Sequence, residues 1–147
     1  EMSYKYGKLN GLTKKYSPNG KLKTEEKYTN NLLDGITKHY HGNGKLAGEV
    51  PYKNGKKNGI EKWYYADGKL RVERNIKDDK WEGAEKAYYE SGKLKFELNN
   101  KDGHSDGTGK EYYENETLKA EAYFAANGKR IVICYEENGH MTRCPED

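Results

Sequence analysis

The chain has 147 residues, with 27 basic side chains against 24 acidic ones and a formal net charge of +3; so even a split argues against the one-signed patch of a dedicated nucleic-acid binder. A composition 33% hydrophobic and 35% charged, with mean hydropathy −1.28, argues against an ordinary globular core. No apolar run approaches the roughly 18 residues of a membrane-spanning helix, and two cysteines are too few for a disulfide scaffold.

What the composition withholds, the spacing supplies. Glycine recurs every 24 residues, at Gly11, Gly35, Gly59, Gly83 and Gly107. Tyrosine follows five residues later (Tyr16, Tyr40, Tyr64, Tyr88, Tyr112), then leucine (Leu22, Leu46, Leu70, Leu94, Leu118) and glutamate (Glu25, Glu49, Glu73, Glu97, Glu121). Lysine keeps the same period at Lys14, Lys38, Lys62, Lys86 and Lys110. Gapless self-similarity at this period is the mark of a repeat array, in which each unit buries a modest face against its neighbours.

In chain order, residues 1–10 supply the tail of a preceding unit, since Tyr4 stands where Tyr28 and Tyr52 stand later. Units follow at 11–34, 35–58, 59–82, 83–106 and 107–129, with a capping hairpin at 130–147. Each unit splits at a turn: SPNG at 17–20, HGNG at 41–44, YADG at 65–68, YESG at 89–92 and a degenerate ENET at 114–117. These fit a type I turn followed by a left-handed glycine, the three-residue hairpin loop with a bulge. That loop sets Tyr64 opposite Leu70. Strict alternation then puts Ile60, Lys62, Tyr64, Leu70, Val72 and Ile76 on one face, and Glu61, Trp63, Tyr65, Arg71, Glu73 and Asn75 on the other. A two-residue loop, setting Lys62 across from Glu73, is the weaker alternative because it scatters the apolar residues. The second link, as in IKDDKWEG at 76–83, reads as a polar loop of about six residues. The cap carries turn EENG and Met141 in the leucine position. No segment sustains a 3.6-residue period. The expected fold is all-β: an elongated antiparallel meander of β-hairpin repeats in a single twisted open sheet.

The pattern G-x-x-K-x-Y-x-x-x-G-K-L-x-x-E-x-x-Y-x-N-G resembles the MORN-variant repeat over about Tyr4 to Met141. The resemblance implies hairpins in an extended, twisted antiparallel sheet. It also implies kinship with bacterial YwqK-type antitoxin-like proteins and with arrays that scaffold or contact proteins and lipids. It brings no catalytic motif and no cofactor.

Several side chains invite functional readings. The tyrosine and leucine rows are expected to be the repeat core, each ring buried with its hydroxyl reaching the edge. His39, His41, Trp63, Tyr65, Tyr89 and Tyr113 vary between units, fall on the other side, and would form an aromatic ridge suited to binding; stacking on neighbouring hairpins is the competing reading. The lysine comb could attract anionic headgroups, although the repeated glutamates offset it and its stems suit packing over tyrosines. His39 and His41 share a face, as two metal ligands would, but no third ligand is evident and no metal is expected. Nucleophile, metalloprotease and phosphate-loop motifs are lacking, so no catalytic residue is assigned and the chain is read as no enzyme. Cys134 and Cys144 flank the last turn with Cys134 facing Thr142; a bond between them would staple the cap and imply an oxidising compartment.

The function these features suggest is a non-enzymatic scaffold that binds another protein through one face of its sheet. The alternatives are an antitoxin or immunity-like protein neutralising a co-encoded toxin, and a secreted or envelope-attached module for glycans, host surfaces or anionic lipid. Edge strands permit oligomers. A secreted or envelope location is favoured over the bacterial cytoplasm.

Overall fold

The computed structural model describes residues 4–125 and 129–144. Residues 1–3 of the partial unit, 126–128 at the end of the fifth unit and 145–147 of the cap lie outside the described residues. Among the described residues there is no helix. Fourteen strands join in one antiparallel sheet whose order follows the chain, from Gly11–Tyr16 at one end to Met141–Thr142 at the other, without closing into a barrel. Tyr4–Lys5 and Lys8–Leu9 form a separate small hairpin.

The third unit shows how the sequence makes the sheet. Gly59–Tyr64 rises to the turn, where the Gly68 N–H donates to the Tyr65 carbonyl (2.9 Å) and the Tyr65 N–H to the Lys69 carbonyl (2.8 Å). Gly68 takes a φ of 101°, a left-handed position that a side chain resists. The same bonds close the turns at Ser17–Gly20, His41–Gly44, Tyr89–Gly92 and Glu136–Gly139. In the fifth unit the turn is Tyr113–Glu116, one residue earlier than ENET suggests, and Glu116 stands at φ 70° in the glycine's place.

Tyr64 pairs with Leu70 as expected, but strict alternation fails immediately after it. Trp63 faces Val72 and Lys62 faces Glu73, so Arg71 is an extra residue on the returning strand. Lys23, Ala47, Lys95 and Lys119 bulge identically in the other units. A bulge inserts one unpaired residue and moves every later side chain to the opposite face. Both pairings weighed from sequence therefore coexist, and the expected faces are wrong beyond residue 71. Glu73 and Asn75 join Ile60, Lys62, Tyr64 and Leu70 on what we call the regular face. Val72, Arg74 and Ile76 join Glu61, Trp63 and Tyr65 on the variable face.

The second link also differs from expectation. It is a tight two-residue turn, with both central residues at positive φ: Asn30 and Asn31, Asn54 and Gly55, Asp78 and Asp79, Asp102 and Gly103. Paired positive φ values match the right-handed twist of a hairpin, and Asn, Asp and Gly tolerate them best. Each of these turns hooks onto the one before it, as when the Asp79 N–H donates to the Lys57 carbonyl (3.1 Å) and the Gly103 N–H to the Trp81 carbonyl (2.9 Å).

Burial corrects the expected core. Tyr16 is 52% exposed, and the other repeated tyrosines and leucines are only half-buried. The most buried side chains belong to the variable face: Thr13, Thr24, Thr37, Val50, Glu61, Ile76, Glu85, Ala87 and Asn100. The variable face is therefore the more buried side of the sheet.

Candidate functional site

The regular face spends its repeated residues on joining units. Tyrosine hydroxyls donate to the glutamate of the preceding unit: Tyr40 to Glu25 (2.8 Å), Tyr64 to Glu49 (3.0 Å), Tyr88 to Glu73 (3.2 Å), Tyr112 to Glu97 (3.2 Å) and Tyr135 to Glu121 (3.3 Å). Lysines of the comb meet the same carboxylates, with Lys14–Glu25 at 3.4 Å and Lys86–Glu97 and Lys110–Glu121 at 3.5 Å. Partial burial and the Glu25 carboxylate push the Tyr40 phenol up to about 12, while the Tyr40 hydroxyl bond holds Glu25 below its ordinary range. Lys14, Lys86 and Lys110 are thus each matched by a glutamate, which weakens their pull on an anionic surface.

A further set of inter-unit ties escaped the sequence reading. In the first three units the lysine before the repeated leucine reaches the next turn: Lys21 donates to the Gly42 carbonyl (2.6 Å), Lys45 to Asp67 (2.9 Å) and Lys69 to Glu90 (2.6 Å). Its fixed place in G-K-L was the visible signal.

The six residues of the expected aromatic ridge all lie on the variable face, and all are half-buried. They divide into two kinds. His41, Tyr65, Tyr89 and Tyr113 form one column beside the turns, each donating to a main-chain carbonyl of the next unit: Tyr64 (2.9 Å), Tyr88 (2.7 Å), Tyr112 (2.7 Å) and Tyr135 (2.8 Å). His39 and Trp63 belong to the next row, where other units carry Lys15, Ala87 and Glu111. Their rings stack at 5.3 Å across Gly48, which is paired with His39 on one side and Trp63 on the other. A Cβ on Gly48 would lie 2.5 Å from the indole, so this glycine is the seat of the stack. Burial holds the His39 imidazole below its ordinary value. Among the described residues no group of three or more His, Cys, Asp or Glu is placed to hold a metal ion.

Below Trp63 the face carries a buried charged chain. The Arg74 guanidinium lies 3.7 Å from Glu61 and 3.8 Å from Glu85, the residues directly opposite it on the two flanking strands. Glu61 also accepts from the Trp63 indole N–H (2.8 Å), Glu85 from Asn100 (3.1 Å), and the guanidinium sits 5.2 Å from the Trp81 ring. Arg74 Nε is buried without a hydrogen-bond partner.

Toward the C-terminus the same rows carry small residues. Gly109 replaces the Glu61 position, Ala120 that of Val72, and Ala122 that of Arg74. The result is a hollow of about 390 Å³ walled by Phe96, Leu98, Phe124 and Val132, open to solvent on one side. A second hollow adjoins it, reaching Cys134 and Cys144 and sharing Glu111, Ala120, Arg130 and Val132. Sequence reading missed both the charged chain and the hollow. The signal was the change of residue type at fixed repeat positions, unreadable until the bulge showed which positions share a face. The Cys134 and Cys144 sulfurs are bonded at 2.09 Å, and Cys134 does face Thr142.

Five consecutive stretches, residues 9–30, 33–54, 57–78, 81–102 and 105–129, match the MORN repeat variant. Among solved structures, the crystal structure of accessory secretory protein 1,2 and 3 in Streptococcus pneumoniae matches at 12% identity, covering 88% of this chain and 19% of that chain. Its TM-score of 0.25 lends no support to a shared fold or function. No curated protein matches.

Proposed function

Because the chain belongs to the MORN repeat variant family, we propose that it is a non-enzymatic repeat scaffold that binds another protein through the variable face of its sheet. The observation that carries this reading is the contrast between the two faces. On the regular face the repeated Tyr, Glu and Lys side chains bond to one another from unit to unit and so serve the array itself. On the variable face each unit presents different chemistry: the His39–Trp63 stack, the Glu61–Arg74–Glu85 chain, then an apolar hollow. Discrimination between partners requires such non-repeating groups. The hydroxyl bonds of Tyr65, Tyr89 and Tyr113 fix those rings in place, which lowers the entropy lost when a partner covers them.

The Cys134–Cys144 bond favours a secreted or envelope setting, since such bonds persist where thiols are oxidised. The test of binding is Trp63→Ala and Tyr65→Phe, each measured for melting and for partner binding separately. Trp63→Ala is expected to weaken binding more than about tenfold while the array stays folded. Loss of folding in Trp63→Ala with no separate binding defect would assign the ring to structure alone.

A further inference from the structure

The turn of the fifth unit departs from the others in chemistry. Elsewhere its asparagine, aspartate or serine is followed by glycine and a basic residue, as in Asn19-Gly20-Lys21 and Asn43-Gly44-Lys45. Here the run is Asn115-Glu116-Thr117, and Asn115 alone among the asparagines of the chain has a serine or threonine two residues on. With any residue but proline between, that pair is the acceptor sequence for an N-linked sugar. So short a sequence also arises by chance, and its surroundings decide. Asn115 is exposed, and its Oδ1 accepts from both the Thr117 N–H (3.0 Å) and the Thr117 hydroxyl (2.6 Å). Its side-chain amide nitrogen bonds to none of the described residues. The corresponding nitrogen of Asn43 is engaged by the Ala66 carbonyl (2.9 Å), and that of Asn138 by Glu136 (3.0 Å). Thr117 also stands where Lys21, Lys45 and Lys69 each reach a carbonyl of the next turn, a tie it gives up. Glu116 takes the left-handed φ of 70° that glycine takes elsewhere. Its ion pair with Lys93 (3.5 Å) joins side chains 69% and 43% exposed and stabilises little. The fifth turn thus loses a link between units and gains an exposed acceptor.

We propose that Asn115 is a modification site that carries an N-linked oligosaccharide. The step is a glycosyl transfer from a lipid-linked sugar diphosphate. The Asn115 amide nitrogen attacks the anomeric carbon, and the C–O bond to the diphosphate breaks as the C–N bond forms. The bonding pair leaves with the diphosphate oxygen, and the nitrogen gives up one proton to a base of the transferase. Nothing is oxidised or reduced. The Cys134–Cys144 bond places the chain in the kind of compartment where secreted proteins receive such sugars. The turn also tolerates the addition. It is closed by the Glu116 N–H on the Tyr113 carbonyl (2.9 Å), the Tyr113 N–H on the Thr117 carbonyl (2.8 Å) and the two bonds onto Oδ1. None of these uses a hydrogen of the Asn115 amide nitrogen, so replacing one by a sugar breaks no bond of the turn. Attached at a turn rather than within a strand, the sugar springs from the long edge of the sheet, and the proposal stands apart from the protein-binding reading of the variable face.

The full chain is purified from the cells that make it and digested with trypsin, and the mass of peptide 111–119 is measured before and after treatment with peptide N-glycosidase. The peptide is expected to carry the added mass of at least one hexosamine. The enzyme should remove that mass and leave aspartate where Asn115 stood. Asn115→Gln and Thr117→Val, expressed in the same cells, should each lose the addition, while Thr117→Ser, which keeps the hydroxyl, should retain it. Formation of the Cys134–Cys144 bond is checked in every variant, so that a loss in folded, oxidised protein is read as loss of the acceptor. A bare peptide 111–119 from disulfide-bonded protein would overturn the proposal. So would an addition that survives in Thr117→Val, or natural protein recovered with both thiols free.

Discussion

Arg74 holds two buried carboxylates apart, with Glu61 5% exposed and Glu85 9% exposed. Removing one member of a buried ionic set leaves the others uncompensated, at a cost of about 3 kcal/mol or more. Arg74→Met should therefore lower the urea midpoint sharply, whereas Arg74→Met combined with Glu61→Leu and Glu85→Leu should recover most of it. A second residue-scale consequence concerns pH. Burial, with Glu26 and Glu25 beside them, pushes the Tyr28 and Tyr40 phenols up to about 12 from an ordinary value of 10. The folded state holds the proton more tightly, so this stabilisation is complete below pH 10 and is lost as pH rises from 10 to 12. Glu25 carries the opposite sign: held below 4.5 by the Tyr40 hydroxyl bond, it stabilises above that pH and stops doing so in acid. Tyr40→Phe should flatten both flanks of a melting-temperature-against-pH curve. At this scale the sequence was partly legible. The tyrosine–glutamate rows were visible by period, but their hydroxyl bonds run 15 residues backwards, between units, where spacing alone does not show a partner.

At the scale of elements, the turns explain what could and could not be read. Gly68 and its equivalents announced the hairpin loop because only a left-handed residue fits there. Arg71 announced nothing. A bulge demands no special residue type, and Lys23, Ala47, Lys95 and Lys119 fill the same place. One such residue reverses the faces beyond it, and so the core was misassigned, while the six residues of the expected ridge stand before the bulge and keep their face. The polar run Asp78-Asp79 read as loop because polarity marks a chain reversal without saying how tight it is. The cap is a further element with its own prediction. Cys134 and Cys144 close a loop of sequence separation 10, worth about 3 kcal/mol by chain entropy. In a repeat array each unit contacts its neighbours alone, so that loss stays local. Reduction, or Cys134→Ser with Cys144→Ser, should speed hydrogen exchange in Arg130–Tyr135 while leaving Gly59–Tyr64 protected. Equal acceleration in both would mean the sheet opens as one cooperative unit.

For the whole molecule, periodicity carried the architecture: 24 residues, two long strands, one antiparallel meander. It could not carry the proposed site, because that site is built from positions at which the units cease to be alike. Trp63 beside Gly48, Arg74 between its carboxylates, and Ala120 with Ala122 beside Phe124 are departures from the repeat, and all lie on the variable face. The central claim is that the regular face builds the sheet and the variable face meets the partner. Photo-crosslinking from single sites tests it most directly, with the reactive side chain placed at His39, Trp63 or Ala122 on one face and at Lys38, Lys62 or Lys86 on the other. Crosslinks to one partner from the first set, and none from the second, are the result expected. Crosslinks confined to the lysine positions would contradict the claim.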